Sequence, residues 1–341
     1  MQSSLAWIPL FSLLLCDQAA PQLLDPSCSR TRAEDRIMYG DDASKSDAIY
    51  MAAIYNRTHF QCGGTLINRR YVLTAAHCLE SRYVLFVHLG AHNRAEPTAW
   101  YDVSFGVQHI SYNPINKQND IGLIKLKRRV EYNGRIRPIC IYLDKAIKSQ
   151  VAMVKTFDAF GWGLNEHGQQ SDILQTITLN QLNREECRWL GETLSSTQIC
   201  AGVPGADTCR GDSGGPLSKK IEINKQTFVA QFGIISYGSL TCDSMAVYTD
   251  VTSFVDWIQE TISRFDDPPE IPPNFQRVPT APPSVVEKLW LYDDCGGDGE
   301  NMSSIVQLTI YGPGFKAQGV LITDQFVITV ARDLPENAAS L

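Results

Sequence analysis

The sequence predicts an all-β fold, an antiparallel sandwich or barrel of short strands, and three observations carry that prediction. Between about residues 37 and 250, short runs rich in Val, Ile, Tyr and Phe recur. Clusters of Gly, Asn, Asp and Pro separate them, and strands do not alternate with long helices. The chain has 341 residues, room for roughly two domains at ~150 residues each. A hydrophobic fraction of 44 % with 20 % charged residues is ordinary for a chain that buries a core, and excludes disorder throughout. With 30 basic against 37 acidic residues the formal net charge is −7, which argues against nucleic acid as a partner. The one basic cluster, Lys125, Lys127, Arg128 and Arg129, follows an apolar run and reads as a solvated strand end.

Taken from the N-terminus, residues 5–15 form an 11-residue, almost wholly apolar run, followed by the small residues Ala19 and Ala20. The run is too short to span a bilayer, so residues 1–20 read as a signal peptide. No other stretch approaches ~18 consecutive apolar residues, so no membrane span is expected and the mature protein is expected to be secreted and extracellular. Within the body, residues 48–55, 71–74, 83–89 and 228–236 are the clearest strand candidates. Val251, Phe254, Val255, Ile258, Ile262 and Phe265 recur at spacings of three and four and mark one apolar face of a packing helix. Residues 268–283 then hold seven prolines, a density that predicts a semi-rigid, extended linker over 266–289.

The last segment, 290–341, repeats part of the body. At a constant offset of 255, Gly64 matches Gly319, Leu66 matches Leu321, Val72 matches Val327 and Thr74 matches Thr329. In the same register Cys62 becomes Ala317, His77 becomes Arg332 and Cys78 becomes Asp333. Both cysteines are lost together, and the histidine with them. A segment below ~40–60 residues without disulfides rarely buries enough surface to fold alone, so this tail is expected to be poorly ordered or docked on the body.

Ten cysteines are too many for an ordinary cytosolic enzyme, and they lack the paired spacing of a zinc ribbon or a redox CxxC. They predict a disulfide framework formed in an oxidising compartment. Cys16 leaves with the signal, so nine remain.

Three segments carry chemistry: Leu-Thr-Ala-Ala-His-Cys at 73–78, Asn-Asp-Ile-Gly-Leu-Ile-Lys-Leu at 119–126, and Asp-Thr-Cys-Arg-Gly-Asp-Ser-Gly-Gly-Pro at 207–216. Together they resemble the chymotrypsin-like serine proteases of trypsin type, over roughly residues 28–265. The resemblance implies two six-stranded antiparallel Greek-key barrels with a C-terminal helix and an active site in the cleft between them. It also implies the roles. Ser213 is the nucleophile, and needs a base because a serine hydroxyl is weakly nucleophilic at neutral pH. His77 is that base, since imidazole titrates near neutrality, and Asp120 orients it. Backbone N–H groups of Gly211 and Ser213 form the oxyanion hole.

By the same resemblance Asp207, six residues before Ser213, lies at the base of the S1 pocket and pairs with substrate Arg or Lys. Ser236, Tyr237 and Gly238 form the pocket's backbone wall, with Tyr237 where the family usually has Trp. Ala246 precedes Val247, Tyr248 and Thr249 where trypsin-like enzymes usually have Gly. Its methyl group and the short 242–246 loop imply a constricted pocket with reduced turnover and an altered Arg/Lys preference. Arg210 at the pocket's lip implies a preference for acidic residues next to the scissile bond.

Arg36, Ile37, Met38, Tyr39 and Gly40 resemble a zymogen activation site, altered after its first residue. Cleavage after Arg36 would free the Ile37 amino group to pair with Asp212, so 21–36 is a propeptide and 37–265 the protease domain. The family's pairing implies Cys28–Cys140, Cys62–Cys78, Cys187–Cys200 and Cys209–Cys242, which leaves Cys295 single. The implied partners are protein substrates, an activating trypsin-like protease and a serpin-type inhibitor. A propeptide retained by a disulfide resembles regulatory cascade proteases of arthropod body fluids. The alternative reading is a weakly active or non-catalytic homologue acting as an adaptor, as the decayed repeat suggests. Sequons at Asn56 and Asn301 suit a glycosylated, secreted surface. His88 and His92 sit four apart in a strand-like stretch and read as core or surface histidines, so neither metal nor cofactor is assigned.

Overall fold

The computed structural model describes residues 22–31, 48–57, 59–80, 84–144, 151, 153–164, 168–190, 194–205, 208–223, 226–239, 244–266, 289–291, 307–312, 315–323 and 326–329. The signal segment, Arg36, Ile37, Asp207, Cys242, Cys295, Asn301 and linker residues 267–288 lie outside them.

The first barrel is built from β2 (Met51–Tyr55), β3 (Phe60–Leu66), β4 (Tyr71–Thr74), β5 (Phe86–Leu89), β6 (Ala99–Gln108) and β7 (Gly122–Leu126). Their order is β6-β5-β2-β3-β4-β7, and β6 pairs with β7 to close the ring. The second contains β8 (Thr156–Gly161), β9 (Gln175–Leu182), β10 (Gln198–Gly202), β11 (Pro216–Ile223), β12 (Gln226–Gly238) and β13 (Met245–Asp250). These run β12-β11-β8-β9-β10-β13, closed by β12 against β13. Two closed six-stranded antiparallel barrels are therefore the architecture, as the resemblance implied.

Inward residues make the cores. Ile54, Leu66, Val72, Val87 and Ile124 share one strand face and pack inside the first barrel, and Phe157, Leu179, Leu217, Phe232 and Tyr248 pack in the second. Each fully buried aliphatic or aromatic side chain contributes on the order of 1.5–3 kcal/mol. The apolar run at 48–55 becomes strand only from Met51, because Met51 N donates to Ala48 O and closes a turn first. The helical face that starts at Val251 is split for a similar reason. Asp250 accepts from Thr252 N and the Thr252 and Ser253 hydroxyls, which caps a 3-10 turn over Val251–Ser253. The α-helix, α1, then runs Val255–Phe265.

Lys125 corrects the sequence reading. It is only 6 % exposed, and its ammonium donates to the carbonyl of Phe265 at the end of α1. Unsatisfied carbonyls give a helix C-terminus partial negative charge, so a cation is stable there. Lys127, Arg128 and Arg129 are the exposed members of the cluster.

Each barrel carries one extra strand. β1 (Arg30–Thr31) pairs with β12 of the second barrel, Arg30 facing Phe228. Residues 22–31 are sewn on further by Leu24 N to Ile141 O, Leu143 N to Gln22 O, Ser29 N to Pro138 O and the Cys28–Cys140 disulfide. β14 (Leu289–Leu291) pairs with β6 of the first barrel, Leu289 facing Val107. A separate three-stranded sheet contains β15 (Gln307–Gly312), β16 (Phe315–Thr323) and β17 (Phe326–Thr329). In it Leu321 faces Val327, the same pairing that Leu66 makes with Val72.

Candidate active site

Strand β4 ends at Thr74 and leads through extended Ala75 into a single 3-10 turn, Ala76–Leu79, that carries His77. The Cys62–Cys78 disulfide ties this turn to β3. Asp120 stands just before β7, where Asn119 at φ 55 makes the left-handed turn that Asn tolerates. His77 Nδ1 and Asp120 Oδ2 are 2.7 Å apart, and the His77 backbone N–H donates to Asp120 Oδ1 at 2.9 Å. The second barrel supplies two more contacts: Ser236 Oγ donates to Asp120 Oδ2 at 2.5 Å, and Thr249 Oγ1 to the Asp120 carbonyl at 2.9 Å.

Asp120 is 0 % exposed. Burial alone would raise its carboxyl. The His77 charge, with hydrogen bonds from the His77 ring, Ser236 and the His77 backbone, outweighs burial and holds it below the usual carboxylate value. The carboxylate thus fixes the imidazole with Nδ1–H toward it and leaves Nε2 to exchange protons.

The 211–215 turn is seated against the strands that lead to His77. Gly63 N donates to Ser213 O at 2.8 Å. Gly214 has φ +81, and a Cβ there would lie 2.2 Å from Thr74 Oγ1 and 2.4 Å from Gly63 O, so only glycine brings the turn this close. Ser213 Oγ forms no hydrogen bond with a described residue, His77 included. Such bonds often tighten only when substrate is bound. Asp212 accepts from Gly163 N at 2.7 Å and Cys209 N at 2.8 Å. Burial nevertheless pushes its carboxyl up to about 6.

Thr208 Oγ1 lies 3.1 Å from Tyr248 OH, next to the position of Asp207. Ala246 is 1 % exposed and faces Gly238 across β12–β13. It lies two residues before Tyr248 and so on the same strand face. Ser236, placed by the sequence in the pocket wall, spends its hydroxyl on Asp120. That role and the contact from Thr249 were missed, because nothing local marks a strand hydroxyl as a partner for a carboxylate 116 residues away or a backbone carbonyl 129 residues away. Cys187 is bonded to Cys200, and Cys209 is also disulfide-bonded. Asn56 Oδ1 accepts from His59 N in the β2–β3 turn. Cys62, His77 and Cys78 bring metal-ligand atoms close together, but the two sulfurs are bonded to each other.

The sequence profile of the trypsin family matches residues 37–258, and the chain belongs to that family of serine-type peptidases. Phenoloxidase-activating enzyme 1 of Spodoptera litura is 35 % identical over 265 residues, 69 % of this chain and 69 % of that protein. Spaetzle-processing enzyme of Drosophila melanogaster is 34 % identical over 267 residues, covering 67 % and 66 %. Among solved structures, the Grass clip serine protease of the Drosophila Toll pathway superposes with a TM-score of 0.64 at 27 % identity, over 70 % of this chain and 75 % of that one.

Proposed function

We propose that the protein is a secreted zymogen of a trypsin-like serine endopeptidase, activated by cleavage after Arg36, that cuts peptide bonds after Arg or Lys. The observation that carries this reading is the buried Asp120 carboxylate 2.7 Å from His77 Nδ1, with the Ser213 turn seated beside it. In the proposed cycle His77 Nε2 takes the Ser213 proton as Oγ attacks the scissile carbonyl. The N–H groups of Gly211 and Ser213 stabilise the oxyanion, and His77 then returns the proton to the leaving amine. Water, activated by the same base, hydrolyses the acyl group from Ser213.

Asp207 supplies the S1 charge in this reading, and the buried Ala246 methyl on the Tyr248 face supports a narrowed pocket. Activation follows from Asp212. With two backbone N–H bonds its carboxyl is still raised by burial, so a new ammonium, that of Ile37, is a favourable partner and orders the oxyanion turn. The segment 21–36 stays attached through Cys28–Cys140 and through the backbone bonds of residues 22–31. Residues 1–20 are the signal, 37–265 the protease domain, 266–289 the linker and 290–341 a degenerate repeat of part of the body. A role in an extracellular cascade, with an activating protease and a serpin-type inhibitor as partners, is supported by relatives named as phenoloxidase-activating and Spaetzle-processing enzymes.

The test is labelling with a serine-directed fluorophosphonate before and after cleavage at Arg36. Strong labelling of the Ile37 form, absent in Ser213→Ala, is expected; an unlabelled Ile37 form would instead favour the adaptor.

A further inference from the structure

Arg94 lies in the first barrel, between β5 and β6, where Tyr55 OH donates to its carbonyl at 3.4 Å, yet its ion pair and the hydrogen bonds its guanidinium and N–H donate reach the segment before β9 of the second. Its backbone N–H donates to Asp172 O at 2.9 Å, and Asn93 and Ile173 form an antiparallel bridge beside it. Its side chain, 18 % exposed, forks. Nε donates to Asp172 Oδ1 at 2.9 Å, Nη2 lies 2.7 Å from the same oxygen, and Nη1 donates to Gln170 Oε1 at 3.1 Å. The guanidinium also stands over the Phe60 ring, 5.5 Å from its centroid.

A guanidinium only donates, so the Gln170 oxygen must face Arg94 and the amide nitrogen must face away from it. That nitrogen ends 3.2 Å from where a Cβ on Gly211 would stand, and Phe60 Cε1 ends 3.7 Å from the same point. Gly211 is therefore flanked by the Gly163 backbone, whose Cα lies 3.1 Å from the same point, and by two side chains, Gln170 and Phe60, that one arginine contacts. Gly211 itself is at φ +104, one of several conformations open to glycine, so its neighbours help to select it.

We propose that Arg94 is a positioning residue for the Gly211 N–H: a strut from the first barrel that sets the oxyanion side of the site through Gln170 and Phe60. The inference rests on the protease reading above. It separates Arg94 from ground-state binding, because these two side chains flank Gly211 and leave β12 and β13, which carry the proposed S1 wall, untouched.

The experiment uses the full chain cleaved at Arg36. Arg94→Ala is expected to lower kcat on an Arg-containing peptide substrate about tenfold, with KM within about twofold, and to slow fluorophosphonate labelling of Ser213 by a similar factor. Arg94→Lys is not expected to restore the rate, since an ammonium cannot make the fork. Gln170→Ala keeps the ion pair and is expected to lower kcat about threefold, which covers the case in which Arg94→Ala fails to fold. Unchanged kcat in Gln170→Ala, full rescue by lysine, or a loss confined to KM would each overturn the proposal. Absence of labelling in the unsubstituted, cleaved protein would instead overturn the protease reading.

Discussion

Strands β3 and β4 bring Leu66 opposite Val72, and 255 residues later β16 and β17 bring Leu321 opposite Val327. The first hairpin runs on into the His77 turn and is closed by Cys62–Cys78. In the second, Ala317, Arg332 and Asp333 stand in those places. Apolar alternation and turn length are local, and they specify register without outside help. The site is not local. His77 acquires its setting from Asp120 before β7, from the Ser213 turn before β11 and from Ser236 and Thr249 at the end of the second barrel. A copied hairpin thus preserves a pairing pattern and none of the chemistry.

The strongest way to break that comparison is to install the tail's residue in the body. His77→Arg is expected to lower kcat/KM of the cleaved protein by on the order of 10⁴–10⁶, because no base remains for Ser213. Activity above about one hundredth of the original would refute it. Next in size is the disulfide that the tail lacks. Replacing Cys62 and Cys78 by Ala releases a loop with sequence separation 16, and is expected to cost about 3 kcal/mol in a denaturant titration. An unchanged midpoint would mean that the hairpin holds its turn unaided.

A third test concerns the 211–215 turn. Asp212 is raised to about 6 from an ordinary 3.8, so between those values the native state binds a proton that the unfolded chain has released. Stability of the uncleaved protein therefore falls as pH rises from about 4 to 6, by on the order of 1–2 kcal/mol. Asp212→Asn should flatten that fall, and so should cleavage at Arg36, by supplying a cation. Melting temperatures across this range decide it, and a rise with pH that Asp212→Asn leaves intact would rule it out. The smallest effect is expected from truncation after Asp266. Among the described residues the pairing that this removes from the barrels is β14–β6, so kcat/KM should stay within about twofold. A tenfold loss would make the tail part of the machinery.

Much of this was legible in the sequence, for reasons that differ by residue. Residues 71–74 coincide with β4, and spacings of three and four found α1, because both signals are contained in a few neighbouring residues. The triad candidates were visible only through a resemblance, since His77, Asp120 and Ser213 are far apart in the chain. Lys125 was misread because its partner is a helix carbonyl 140 residues away. Arg94 and Gln170 gave no signal at all: an arginine in a polar loop acquires meaning only when a second barrel is placed beside it.

Asp120 belongs to the first barrel, yet the hydroxyls of Ser236 and Thr249 reach it from the second. A slip of one barrel along the other by about 1 Å would stretch both contacts beyond hydrogen-bond length. It would leave the buried carboxylate one hydrogen bond short and the Asp120 carbonyl without its hydroxyl, at a cost of about 1–3 kcal/mol. That carboxylate is thereby a register pin for the whole body, penalising shear between the barrels before any core side chain has lost its packing.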